Sequence, residues 1–124
     1  MTRAKMRKIC LGLPLATSDF PFDEATEAFR IHGRIFALHF GGQARPIEVN
    51  LTCDPDLAAD LRTTYPDITP GWHMNHRHWN TIKFDGSLSD SKLEWLVRHS
   101  YDCVVAALPR GARPKPPPTS LPKP

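Results

Sequence analysis

The spacing of apolar positions changes several times along the chain, and each change marks an element. Arg3 to Leu11 reads as a short amphipathic helix, ended by Gly12 and Pro14. The next ten residues, TSDFPFDEAT, are rich in turn formers, and Phe20 and Phe22 on either side of Pro21 are expected to lay their rings against the edge of the core. From Glu27 the period becomes two. Phe29 and Ile31 share a face, His32-Gly33 supplies a tight turn, and Phe36, Leu38 and Phe40 alternate with Ala37 and His39. Gly41-Gly42 closes that strand, and Ile47, Val49 and Leu51 alternate with Glu48 and Asn50 in a third.

A helix start follows, with Asp54 as N-cap, Pro55 in the first turn and Asp56 at the positive end of the dipole. Leu57, Ala58 and Leu61 form its inward stripe and Pro66 stops it. A strand is expected from Trp79 to Phe84, and Asp85-Gly86 turns the chain into a last helix. Ser89 caps that helix, or Ser91 does so in a capping box with Glu94. Leu93, Leu96, Val97, Ser100, Val104 and Leu108 recur at steps of three and four, so one face is apolar throughout.

The resulting order is helix, three strands, helix, one or two strands, helix. Short hairpin connections make this an α+β fold, a two-layer sandwich whose mainly antiparallel sheet carries its helices on one face. Residues 1–108 are expected to form one domain. In residues 109–124 seven of sixteen positions are proline, which predicts an extended or disordered basic tail.

Charge sharpens this division. The formal net charge is +3, but Arg3, Lys5, Arg7 and Lys8 precede every acid, and Arg110, Arg113, Lys115 and Lys123 follow the last one. Residues 9–108 therefore hold eight basic groups against all thirteen acids, a net charge of −5 with histidine neutral. An acidic body with basic ends must collect its cations locally, or use its tails, to hold phosphates. Cys10, Cys53 and Cys103 are odd in number and widely spaced, which argues against a disulfide framework and a thiolate zinc site and fits buried thiols in the cytoplasm. No stretch approaches the roughly 20 apolar residues of a membrane span, so no membrane partner is expected.

Candidate chemistry concentrates in PGWHMNHRHWN, residues 70–80, with three histidines and two tryptophans. Three readings stand open. His73, His76 and His78 could bind zinc with Cys53 or Asp85 as the fourth donor, although His-x-x-His-x-His in a loop is not a standard zinc spacing, so no metal or cofactor is expected. Alternatively His73, Asn75 and Asn80 tie down the loop through backbone groups while Trp72 or Trp79 covers the sheet. In the third, imidazoles, Asn75, Arg77 and an aromatic ring contact bases and phosphates. Catalysis is not expected: His99, Ser100, Tyr101 and Asp102 are neighbours on one helix and point in different directions, and no phosphate-binding glycine loop is present. Tyr101 is expected to anchor its hydroxyl near the motif loop.

Taken together, PF at 21–22, IFAL, VNLTCDP, YPDITPGWHMNHRHWNT and HSYDCVVAALP resemble the MmcQ/YjbR family across Phe20 to Pro109. The family motif maps onto Pro70, Gly71, Trp72, His73, Met74, Asn75, His78, Trp79, Asn80, Ser100 and Tyr101. The resemblance implies a small α/β fold of the double-wing DNA-binding type and a DNA-binding role. Where the family tends to carry lysine, this chain has Arg34, Thr52 and His76.

The leading expectation is a nonenzymatic DNA-binding protein that contacts phosphates through Arg34, Arg45, His73, Asn75, His76, Arg77 and Lys83 together with the basic ends. The alternative is a module that binds a protein partner through its sheet face or proline-rich tail. A third is a small-ligand or metal site at the His/Trp loop.

Overall fold

The computed structural model describes residues 1–114; residues 115–124, the greater part of the expected tail, lie outside the described residues. The elements run α1 (Arg3–Leu11), β1 (Thr17–Asp19), β2 (Glu27–Ile31), β3 (Arg34–Phe40), β4 (Glu48–Thr52), α2 (Pro55–Thr64), β5 (Ile68–Pro70), β6 (Trp79–Lys83) and α3 (Asp90–Ala106). The strands form one antiparallel sheet in the order β1-β2-β3-β4-β6-β5. Met6 and Cys10 of α1, Ala58 and Leu61 of α2, and Leu93, Leu96 and Val97 of α3 join Val49, Leu51 and Ile82 in a single core. The architecture is thus the α+β sandwich expected, with the other face of the sheet left without helices.

Local chemistry explains the boundaries. His32 and Gly33 both adopt positive φ, 48° and 77°, as a two-residue hairpin turn between right-twisted strands requires. The Asp54 carboxylate accepts from the Asp56 and Leu57 amides at the start of α2. Ser89, not Ser91, caps α3 by accepting from the Lys92 amide.

Four expectations are corrected. β1 was not anticipated, because TSD shows no alternation and is fixed only by pairing with Ala28 to Arg30. Phe20 and Phe22 do not lie against the core edge: they are 47% and 66% exposed. The chain leaves the sheet edge after Asp19, and Phe22 comes to lie on the side that has no helical layer to receive it. Order also extends past residue 108. A 3-10 turn spans Arg110–Ala112, and Arg113 donates to the Leu108 and Ala106 carbonyls, each at 2.9 Å, satisfying acceptors that the end of α3 would otherwise leave open. Finally, the Tyr101 hydroxyl donates to the Pro14 carbonyl at 2.6 Å, beside the turn after α1, and not near the motif loop.

The pairing of β2 with β3 slips between Phe29 and Arg30, leaving Phe36 as an extra residue in β3. Such a bulge interrupts the ladder and re-aims side chains. Phe36 is consequently buried with Ala37 and meets the Tyr101 ring edge-on at 5.4 Å. Ser100 repairs the interruption: its hydroxyl donates to the Phe36 carbonyl and accepts from the Thr52 amide at 2.9 Å, bridging β3 and β4 where their own register ends.

Candidate functional site

In the register, Leu38, Asn50, Thr81 and Thr69 stand opposite one another on the helix-free face. Two of these polar side chains are buried and hold the motif loop. The Trp72 amide donates to Thr81 Oγ1 at 2.9 Å, Thr81 Oγ1 donates to Asn50 Oδ1, and Asn50 Nδ2 donates to the Trp72 carbonyl at 2.9 Å. This closed ring fixes the backbone of Trp72 and leaves its side chain 58% exposed. Gly71 is required beside it, because a Cβ there would sit 2.7 Å from Trp79 Cβ.

The rest of the loop is tied from within. Asn75 Oδ1 accepts from the Arg77 amide, while the Asn75 carbonyl accepts from Trp79. Asn80 points the other way, toward α2, donating to the Ala58 carbonyl and accepting from Arg62, which also donates to the His76 carbonyl. The structural role expected of Asn75 and Asn80 is therefore visible, whereas His73 packs its ring 4.0 Å from that of Trp72 and holds a positive φ of 58°.

Trp72 meets Phe40 edge-on, with centroids 5.2 Å apart, and the pair forms a ridge between two depressions. One, of ≈310 Å³, is lined by Phe40, Glu48, Thr69, Pro70, Trp72 and Thr81. The other, of ≈410 Å³, includes Phe22, Asp23, Leu38, His73 and Met74. The first mixes aromatic rings with Thr69 and Thr81, the second is mainly apolar, and each carries one carboxylate, Glu48 or Asp23.

The cations expected to hold phosphates do not gather there. Lys83 lies opposite Glu48 and Arg45 is paired with Asp85 at 3.2 Å, whereas Arg34 shares a cleft with Thr52, His78 and Trp79 at the other end of the strands. Four residues of β6 separate those ends, about 13 Å at the usual strand rise. His73, Asn75, His76 and Arg77 are exposed on the loop. Of the N-terminal cations, Lys5 pairs with Asp90, and Arg3 and Arg7 pair with Glu27. Arg34 and Arg77 have no ion-pair partner among the described residues.

The cleft beside Arg34 also contains Cys53, Asp54, His99 and Cys103. Cys103 Sγ lies 3.5 Å from His99 Nε2, but that nitrogen also accepts from the Asp54 amide at 3.3 Å, and burial pushes the Cys103 thiol pKa up, away from a reactive thiolate. Among the described residues no three His, Cys, Asp or Glu side chains converge to hold a metal ion.

Under the helices, Glu27 is fully buried and accepts from Arg7 Nε and Nη2 at 2.8 and 3.0 Å. Burial alone would raise its pKa, but the hydrogen bonds from Arg7 and Ser18 and the charges of Arg7 and Arg3 hold it below the ordinary carboxyl value. His39, its cross-strand neighbour, is also fully buried, with its pKa lowered by desolvation and then by Arg3.

Sequence reading missed Leu38, Phe40, Asn50 and Thr81 as parts of the site. A signal for Asn50 and Thr81 did exist: each has the opposite parity to the apolar Val49, Leu51 and Ile82 beside it, which places it on the other face.

A protein-family model described as YjbR matches residues 11–103. The Escherichia coli K12 protein YjbR, itself uncharacterized, is 34% identical over 113 residues, covering 91% of this chain and 95% of that protein. YbdF of Escherichia coli O157:H7, also uncharacterized, is 32% identical over 102 residues, covering 82% of this chain and 83% of that protein. Among solved structures, Deinococcus radiodurans DR2400 superposes with a TM-score of 0.84 at 32% identity, covering 90% of this chain and 85% of the other. A Pseudomonas syringae protein shares the fold at a TM-score of 0.72 and 24% identity, covering 83% of this chain and 98% of its own. No helix among the described residues is long and apolar enough to cross a membrane.

Proposed function

The chain belongs to the YjbR family, and within it we propose a nonenzymatic binding module whose helix-free groove holds an extended, cationic, proline-bearing segment of a protein partner. The Trp72–Phe40 ridge carries this reading. An exposed indole packed against the half-buried Phe40 ring, with a depression on either side, is the kind of surface that marks interaction sites. Proline-rich segments suit it, because they are already extended, lose little entropy on docking and present rings to aromatic walls. Asp23 favours lysine or arginine in the occupant and opposes a phosphate backbone, while Glu48 has Lys83 opposite it across the strand pair. Pairing of Arg3, Arg7, Lys5 and Arg45 with carboxylates further reduces the charge left for nucleic acid.

The test is titration of the ¹⁵N-labelled protein with a synthetic peptide of repeated Pro-Pro-Lys, following the Trp72 indole resonance. Saturable shifts at Trp72, with affinity reduced about tenfold or more by Trp72→Ala, are expected. No shift at millimolar peptide ends the proposal. A labelled DNA duplex provides the opposing outcome: salt-sensitive binding that is lost on replacing Arg34 and Arg77 by glutamate, without peptide binding, would put nucleic acid in the partner's place.

A further inference from the structure

We infer that the cleft beside Arg34 binds a small amphipathic anion, its carboxylate or phosphate held by Arg34 and His78 and its apolar body lying against Ile35, Trp79 and Val104. The site is separate from the groove, whose Trp72 and Phe40 do not line it.

The cleft exists because two paired strands part. β3 and β4 are in register from Phe40 opposite Glu48 to Ala37 opposite Leu51, and there the pairing stops. The bulge at Phe36 turns β3 aside, so Arg34 and Ile35 have no partner in β4. Thr52 and Cys53 donate their amides elsewhere, to Ser100 Oγ at 2.9 Å and to the His78 carbonyl at 2.7 Å. The end of α3 lines the gap, where Val104 is buried and positions 106 and 107 are both alanine. Longer side chains at those two positions would narrow it. Alanine leaves ≈590 Å³, more than either groove depression and within the range of sites that enclose small molecules.

Charge decides what enters. Arg34 is exposed and has no ion-pair partner among the described residues. The Asp54 carboxylate also lines the cleft, but it accepts from the Asp56 and Leu57 amides at 3.0 and 3.5 Å, and the positive end of α2 offsets its charge. Cys103 adds no negative charge, because burial raises its thiol pKa. His78 is fixed on the wall through its carbonyl, which accepts from the Cys53 amide and from Thr52 Oγ1 at 3.0 Å, and its exposed imidazole offers a second donor. A guanidinium meets a carboxylate or phosphate through two parallel hydrogen bonds, which an ammonium cannot do. Ile35, Trp79 and Val104 then give the remainder of the ligand an apolar wall.

The experiment titrates the ¹⁵N-labelled full chain with 3-phenylpropionate and follows the Trp79 indole resonance. A saturable shift is expected, with binding about tenfold weaker for 3-phenylpropionamide, which keeps the body and lacks the charge. Arg34→Gln, at an exposed position, is expected to leave the amide spectrum outside the cleft unchanged and to weaken the acid about tenfold or more. Ala107→Leu keeps the guanidinium and takes up the space, and it is expected to weaken binding as well. Phenyl phosphate runs in parallel, and the tighter of the two anions identifies the head group. The inference is overturned if neither anion shifts Trp79 at millimolar concentration, if acid and amide bind equally, or if binding survives either substitution. A shift at Trp72 alone would place the probe in the groove and also overturn it. The groove reading stands or falls separately, because its peptide is followed at Trp72.

Discussion

The two faces of this sheet use buried polar side chains to opposite ends. Beneath the helices, Ser100 joins β3 to β4 and Asn80 joins β6 to α2, so each bond ends on another part of the framework. On the open face, Asn50 and Thr81 are as well buried, yet their bonds end on the backbone of Trp72 and hold an indole out toward solvent. Burial does not distinguish the two groups. What each network holds in place does: one closes the fold, and the other presents a surface.

The sharpest way to break this contrast is to remove a large side chain from each face. Phe36→Ala should cost about 3–5 kcal/mol in urea denaturation, as deletions of buried aromatics do. Ser100→Ala should follow at about 2–4 kcal/mol, because it leaves both the Phe36 carbonyl and the Thr52 amide without their bridge. A loss below about 1 kcal/mol would mean that water replaces the hydroxyl and that the bridge is dispensable.

On the open face the expected ratio of stability loss to binding loss is reversed. Thr81→Val should destabilise by about 1–3 kcal/mol and also weaken peptide binding, since Trp72 loses its backbone tether. Trp72→Ala should change stability by only about 1 kcal/mol or less while removing binding. If Trp72→Ala unfolds the protein, the ridge is part of the core and the contrast collapses.

The smallest expected effect comes from pH. Burial and Arg3 hold the His39 pKa below its ordinary 6.5, with Glu27 opposing. The unfolded chain therefore takes up this proton first, so stability is full above about 6.5 and declines as pH falls through and below that value. His39→Leu should flatten the melting temperature between about pH 7 and 5.5. Glu27 contributes in a lower window: its depressed pKa gives stability that is present above the ordinary value of 4.5 and is lost as pH falls through the folded value.

Where the chain announces structure locally, sequence was sufficient. Alternation between Glu27 and Phe40, the His32-Gly33 turn and the caps Asp54 and Ser89 are short-range effects, and they reappear in β2, β3, α2 and α3. Features fixed by distant partners were not legible. β1 exists because Ser18 meets Phe29, and the role of Ser100 depends on a bulge that becomes visible only when β2 and β3 are aligned. The same limit applied to charge. Basic ends can be counted in the sequence, but the pairing of Arg7 with a buried Glu27 cannot, and that pairing withdraws part of the N-terminal charge from any phosphate.

Both margins of the sheet are three-residue strands, Thr17–Asp19 and Ile68–Pro70, and the latter ends in a residue with no amide hydrogen to donate. So little open ladder remains that another polypeptide finds scant template for lengthening the sheet. Binding of the kind proposed would thereby be steered away from backbone zippering and toward the side chains standing above the strands, where individual residues can tell one visitor from another.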